Sequence, residues 1–337
     1  MERVGVVVIG RNEGARLARC LRSVDGHSHA VIYVDSGSTD ASVDLARSMG
    51  AHVITLDMST PFTAARARNA GFDRLLAAAP DLEYVQFVDG DCELVEGWLP
   101  AAAQALDDDP TVAATFGRLR ERHPEASVYN RLADIEWDTP IGETTACGGN
   151  ALMRVAAFRQ VGGFDATLAS VEEPELCQRF LRAAWKVWRL DAEMGLHDAA
   201  MLHFRQWWTR TVRSGYGFLD ASTRFGAGPD GSFDIHVRRA RRWSLGWPSL
   251  VVLASVAGRL AGGRRMAVVT GGAVAMALPA QMARLAVLCH RRRALGWRTA
   301  VPYGVLTMAG KWPSMWGQHQ YRRDAAAGCH ARLIEYK

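Results

Sequence analysis

The sequence predicts an α/β protein, a mainly parallel sheet between helices, followed by a C-terminal helical region of different character. Three observations carry this. Short apolar runs alternate with helix-period segments through the first third, acidic clusters stand at the ends of successive runs, and charge divides sharply along the chain. The composition agrees: 337 residues, 49% hydrophobic and 22% charged, suffice for a sizeable core. Disordered, collagen-like and disulfide-scaffold classes are excluded.

The runs 4–9, 31–34, 52–56 and 84–88 have strand length. Between the first two, Leu17, Cys20, Leu21 and Val24 recur at helical spacing. Ser38-Thr39-Asp40 offers an N-cap for a second helix, on which Val43, Ala46 and Met49 recur. The alanine-rich segment 64–79 reads as a third helix, ended by Pro80. Such repetition implies right-handed βαβ units and a parallel sheet.

In these sheets ligands bind beyond the carboxyl ends of the strands. Asn12-Glu13, Asp35, Asp57 and Asp89-Gly90-Asp91 all fall there. Each alone reads as a turn or cap; four together along one edge point to a site. Asp89-Gly90-Asp91 is the sharpest, because two carboxylates surfacing from a buried strand suit a hard divalent cation. A tight turn with Gly at positive φ is the other reading of the same three residues.

The six cysteines are scattered without a CxxC pair, as suits a reducing cytoplasm. The apolar run 4–9 is too short for a signal peptide, so the catalytic part is expected not to be exported. Residues 236–337 hold 17 Lys and Arg against two acids, whereas residues 1–235 carry a balance of −10. The expected division is therefore 1–235 and 236–337. Apolar residues and Trp interleave with the basic ones in the tail, which favours an anionic membrane surface over nucleic acid.

Three uncharged stretches lie in the tail, 243–258, 266–283 and 299–310. Only the middle one approaches the roughly 20 residues of a spanning helix. Pairing the first two as a hairpin would set Arg259, Arg264 and Arg265 outside, against the positive-inside rule. The expectation is therefore helices in the cytoplasmic interface, in part re-entrant, anchored by Trp247, Trp297, Trp312 and Trp316.

Seven motifs, in order, resemble family 2 glycosyltransferases of the GT-A fold: VVVIGRNE (6–13), VDSGSTD (34–40), ARARNAGF (65–72), FVDGD (87–91), GGNALMR (148–154), VGGFD (161–165) and EEPELCQRF (172–180). The resemblance implies a nucleotide-sugar-binding domain and a metal-dependent inverting transferase. It places Asn12, Glu13, Asp35 and Asp57 at the base and ribose. Arg68 and Asn69 would face the phosphates, with Gly149 and Asn150 beside the sugar. Asp91 would hold Mg²⁺ or Mn²⁺, with Asp89 as partner or ribose contact and His197 as a further ligand.

The catalytic base falls by resemblance on Glu173, with Glu172 left open because the family has Glu-Asp there; Pro174 suits the first helical position after it. The implied partners are a nucleotide-sugar donor, UDP-sugar foremost, and a lipid-linked or surface-glycan acceptor, at the cytoplasmic face of the cell membrane. Arg239-Ala240-Arg241-Arg242-Trp243 partly resembles a processive-synthase motif, with Arg239 in place of Gln, and reads equally as a juxtamembrane basic cluster. Two other readings stand beside this one: a sugar-phosphate nucleotidyltransferase, for which 10–14 lacks the phosphate-gripping glycine pattern, and a non-catalytic membrane scaffold.

Overall fold

The computed structural model describes residues 3–328 apart from 27, 29, 229 and 230. The chain forms two compact units that divide between Ala200 and Met201. The sequence reading set its boundary at 235/236, where the charge changes sign. The earlier division follows packing: the helix from 204 to 225 lies against the last described helix of the chain.

The first unit runs β1 (Val4–Gly10), α1 (Ala15–Val24), β2 (Ala30–Asp35), α2 (Ser42–Ser48), β3 (His52–Thr55), α3 (Ala64–Ala78), β4 (Tyr84–Asp89), β5 (Cys92–Leu94), α4 (Trp98–Asp108), β6 (Val112–Glu121), α5 (Val128–Glu136), β7 (Gly142–Thr144), β8 (Ala151–Arg154), α6 (Val155–Gln160), α7 (Glu172–Arg182) and β9 (Lys186–His197). One nine-stranded sheet has the order β3-β2-β1-β4-β8-β6-β9-β5, with β7 also on β9. β1 to β4 pair in parallel, as the strand–helix alternation predicts. Beyond β4 the sheet is mixed: β8 is antiparallel to β4 and β6, and β9 runs parallel to β6.

Val6, Val7, Val8, Ile32, Val34, Val85, Phe87 and Val88 are buried. Strands covered on both faces read as continuous apolar runs, and these do. α3 begins behind Thr63, whose hydroxyl accepts from Arg66 N at 3.1 Å, and ends before Pro80. It carries Gly71, where a Cβ would come within 2.4 Å of Val7, so this helix lies close on β1. α2 starts later than its expected cap: Ala41 takes the N-cap position, and Asp40 Oδ1 accepts from Ser42 N from one residue before.

The second unit comprises α8 (Phe204–Phe225), α9 (Ser232–Arg241), a π-helical turn (Arg242–Gly246), α10 (Trp247–Ala275), α11 (Ala277–Arg293), α12 (Trp297–Ala309) and α13 (Lys311–Ala326). Backbones approach closely wherever glycine allows. A Cβ at Gly215 on α8 would meet Ser314 O of α13 at 2.1 Å, and one at Gly304 on α12 would meet Met282 O of α11 at 2.3 Å. Among the described residues one helical stretch, Ser232–Arg293, is long and apolar enough to cross a membrane by length and composition.

Candidate active site

The site is built at the carboxyl ends of β1, β2 and β4 and on the two segments that return to them, 147–150 and α7. β4 delivers Asp89, then turns at Gly90, whose N donates to Ile9 O at 2.8 Å. A Cβ at Gly90 would stand 3.1 Å from that carbonyl, so the turn presses on the first strand. β8 enters antiparallel beside β4 and brings Asn150 against Asp89: Asn150 Oδ1 accepts from Asp89 N at 3.0 Å.

Arg68, on α3, is the centre of the arrangement. Its side chain is 3% exposed. Nη2 donates to Asp89 Oδ1 at 2.9 Å, and Nη1 reaches Glu172 Oε1 at 2.9 Å and Glu173 Oε1 at 3.1 Å. Burial alone would discourage its charge, but Asp89, Glu173 and Glu172 outweigh that and raise its pKa. One cation thus ties the carboxylate at the end of β4 to the two at the start of α7. A Cβ at Gly149 would lie 2.2 Å from Arg68 Nη2, 2.9 Å from Asp89 Oδ2 and 3.0 Å from Glu173 Oε1. Only glycine leaves that space open.

The two glutamates differ. Glu172 is buried and held by Arg68. Glu173 keeps partial access to solvent, and burial followed by the charge of Glu172 pushes its pKa up from 4.5 to about 7, with Arg68 acting in the opposite sense. α7 begins at Glu172 behind Val171 in the left-handed region, which places Pro174 at the third helical position, not the first as expected from sequence. The substitution of position costs nothing, since the first four helical N–H groups have no intrahelical acceptor. Glu175, third in the acidic run, is spent on Arg179 (2.6 Å), whose Nη1 in turn donates to Val161 O and Gly163 O.

A second cluster lies beside the first. Asp91 Oδ2 is 3.3 Å from His197 Nε2 at the end of β9, and Cys92 Sγ belongs to the same group of atoms within 4.8 Å of one another. His197 Nδ1 is backed by Glu121 Oε2 at 3.5 Å, and Trp137 meets the imidazole edge-on. Glu121 is itself buried and held by Asn130 Nδ2, His123 N and Ala199 N. The donors fit a hard divalent cation: a carboxylate and an imidazole converge, and a second carboxylate lies behind the imidazole. Burial pushes the Cys92 thiol well up, which keeps it protonated. Asp89 is not in this cluster; Arg68 has its Oδ1.

The remaining predicted residues stand around this centre with their side chains engaged. Asn12 Oδ1 accepts from Thr39 N at 2.7 Å and clasps the loops after β1 and β2 together. Asp35 accepts from Gly37 N, Ser38 N and the Tyr33 hydroxyl. Glu13 pairs with Arg16 at 2.9 Å and lies against Gly90. Asp57 is exposed and holds Ser59 N and Oγ, which lowers its pKa. Asn69 is turned to the backbone of Phe164, donating to its O and accepting from its N. Glu121 is the residue that sequence reasoning missed; no local motif marks it, and only the register Glu121↔His197↔Cys92 across three strands brings it in.

Comparison with known proteins bears on the fold and the family. Residues 5–162 match Glycosyl transferase family 2. The pre-mycofactocin glycosyltransferase of Mycobacterium tuberculosis is 28% identical over 324 residues, which is 92% of this chain and 65% of that protein. The chain thus spans about two thirds of that relative's length. The succinoglycan biosynthesis protein ExoA of Rhizobium meliloti is 27% identical over 171 residues, 48% of this chain and 51% of the relative. Among solved structures, the mannosyltransferase PcManGT of Pyrobaculum calidifontis, in complex with GDP-Man and Mn²⁺, superposes with a TM-score of 0.57 at 19% identity, covering 93% of this chain and 87% of that one. The fold is GT-A, and the matched residues form a family 2 glycosyltransferase domain.

Proposed function

We propose that this family 2 glycosyltransferase moves a sugar from a nucleotide-sugar donor to an acceptor hydroxyl with inversion, using a bound divalent cation. The observation that carries the reading is the Arg68 bridge, which joins the carboxylate at the end of β4 to the acidic start of α7 across an open glycine. Glu173 is the proposed base. It is solvent-accessible where Glu172 is locked, and a pKa near 7 matches proton abstraction at neutral pH.

In the proposed step Glu173 Oε takes the acceptor proton as the acceptor oxygen forms its bond to the anomeric carbon. The bond from that carbon to the diphosphate oxygen breaks in the same displacement, and the electron pair leaves with the nucleoside diphosphate. Arg68 holds Glu173 in place and limits the rise of its pKa. Asp91 and His197 would hold Mg²⁺ or Mn²⁺, with Glu121 fixing the imidazole. When bound, the cation supplies Lewis-acid stabilisation of the diphosphate leaving group.

The donor is proposed to be a UDP-sugar, its base and ribose lying along the loops that carry Asn12, Glu13, Asp35 and Asp57. The acceptor is proposed to be lipid-linked or part of a surface glycan, met at the cytoplasmic face of the cell membrane. The exposed apolar surface of the second unit and the free, buried state of the five described cysteines support that placement. A second acceptor reading, a compound of the pre-mycofactocin type, has support in the relative whose similarity extends over 92% of this chain.

Thermal shift against a panel of nucleoside diphosphates, UDP and GDP included, with and without Mn²⁺, tests the donor site. Metal-dependent stabilisation by one nucleotide, lost in Asp91→Ala, is expected. Stabilisation by none would favour a scaffold that keeps the fold without turnover. Release of nucleoside diphosphate with a lipid-phosphate, an oligosaccharide or a pre-mycofactocin acceptor then separates the acceptor classes.

A further inference from the structure

The helical stretch from Ser232 to Arg293 is not one rod. Within α10 the helical path breaks at Gly262 and Gly263, the latter at φ 74°, ψ −159°, a conformation open only to glycine. The chain reverses there, and the two arms of α10 lie antiparallel in contact. Trp247 Nε1 donates to Val274 O at 3.2 Å, and Thr270 Oγ1 donates to Ala254 O at 2.6 Å. A Cβ at Gly258 would lie 2.3 Å from Thr270 Oγ1, and one at Gly271 would lie 2.0 Å from Ser255 Oγ. Small residues and hydroxyls fill the seam while the bulky residues face outward, the reverse of a water-soluble helix pair. Leu250, Val252, Leu253, Val268 and Val269 are all more than half exposed, and Leu260 is 84% exposed.

Charge is arranged to match. Residues 243–258 and 266–283 hold no charged side chain, and there is no Asp or Glu from 235 to 323. At a rise of 1.5 Å per residue these stretches come to about 24 and 27 Å, the second running from α10 across Met276 into α11, against a hydrocarbon layer of about 30 Å. Arg259, Arg264 and Arg265 stand at the turn. Arg238, Arg239, Arg241 and Arg242 precede the first arm in the chain, and Arg284, Arg291, Arg292 and Arg293 follow the second on α11. Long guanidinium side chains at both ends reach toward lipid phosphates while their stems stay apolar.

We propose that α10 is a paired-helix anchor that enters an anionic phospholipid bilayer turn-first, its turn arginines binding lipid phosphate. This replaces the interface-lying helices expected from sequence. The objection to a hairpin was the three arginines carried outward, yet eight remain behind, so the bias itself still keeps the base of the hairpin inside. The proposal deepens the membrane reading above and rests on it.

The test is flotation of the full-length protein with unilamellar vesicles of phosphatidylcholine and phosphatidylglycerol, at 0.1 M and 1 M NaCl. The wild type is expected to stay with the vesicles at both salt concentrations. The double variant Leu253→Lys/Val269→Lys, altered only at exposed positions, is expected to show a bound fraction more than about tenfold lower at 1 M NaCl. Unchanged far-UV circular dichroism would establish that the variant is folded. Binding at low salt with release of the wild type at 1 M would overturn insertion while leaving a surface-bound enzyme. Absence of binding at either salt, with a dimer by light scattering that the double variant abolishes, would overturn the membrane reading and assign the bare faces to a second copy of this chain.

Discussion

Replacing Glu173 by Gln separates what the protein gains from that residue in activity and what it loses in stability. In the folded state its carboxyl is pushed from 4.5 up to about 7, first by burial and then by Glu172. A shift of this size corresponds to about 3 kcal/mol at 1.36 kcal/mol per pH unit. The folded state binds the extra proton between pH 4.5 and 7, so the unfolded state binds fewer there and stability falls as pH rises through that window. Below pH 4.5 the contribution is fully present; above 7 it is gone and the loss is constant. Gln removes the titration while keeping nearly the same shape, and Arg68 retains Asp89 and Glu172. Urea unfolding of both proteins at pH 5, 6, 7 and 8 is the assay. The variant is expected to gain on the wild type by about 3 kcal/mol between the two extremes of pH, while sugar transfer falls by a factor of about 100 to 10,000 at the optimum. A stability difference that does not change with pH, or a variant that transfers sugar at the wild-type rate, would refute the assignment of Glu173 as the raised, proton-accepting carboxylate.

Other outcomes follow from the same geometry. Wild-type kcat/KM is expected to rise with pH through about 7 as Glu173 loses its proton, and Arg68→Met, by removing the cation that opposes the shift, is expected to move that limb upward. Arg68→Met is also expected to destabilise by about 3–5 kcal/mol, because it leaves a buried carboxylate at Glu172 without its partner, which thermal or urea unfolding will show. Gly149→Ala places a methyl group 2.2 Å from Arg68 Nη2 and is expected to cost about 1–3 kcal/mol and most of the activity, read by unfolding and initial rates. Glu121→Gln, remote from any reacting atom, is expected to weaken Mn²⁺ binding by about 10–100-fold in a direct titration of the metal, through loss of the carboxylate behind His197.

The local signals in the sequence were sufficient for the first half of the sheet. Apolar runs of strand length, helical periods between them and turn residues at their ends are properties of short segments, and β1 to β4 with α3 stand where those segments lie. The pair Asp89 and Asp91 was legible for the same reason: both sit in one turn after one strand. The seven motifs added the resemblance to the family, and with it Glu173 and His197 as candidates.

Tertiary structure alone decided which carboxylates meet. Arg68 is one arginine among 37 in the sequence, and only the packing of α3 under the 147–150 loop and α7 makes it the buried bridge between Asp89, Glu172 and Glu173. Asn69, its neighbour, points the other way and serves the Phe164 backbone, a difference of one helical step that no spacing rule reveals. Glu121 entered through strand register, which pairs residues 76 and 105 positions apart in the chain. The α10 hairpin, set aside in the sequence because of its three turn arginines, depended on two glycines whose break in the helix is a matter of φ and ψ. Periodicity records which face of a segment is buried; it does not record what that face is buried against, and the site and the anchor both depend on that second fact.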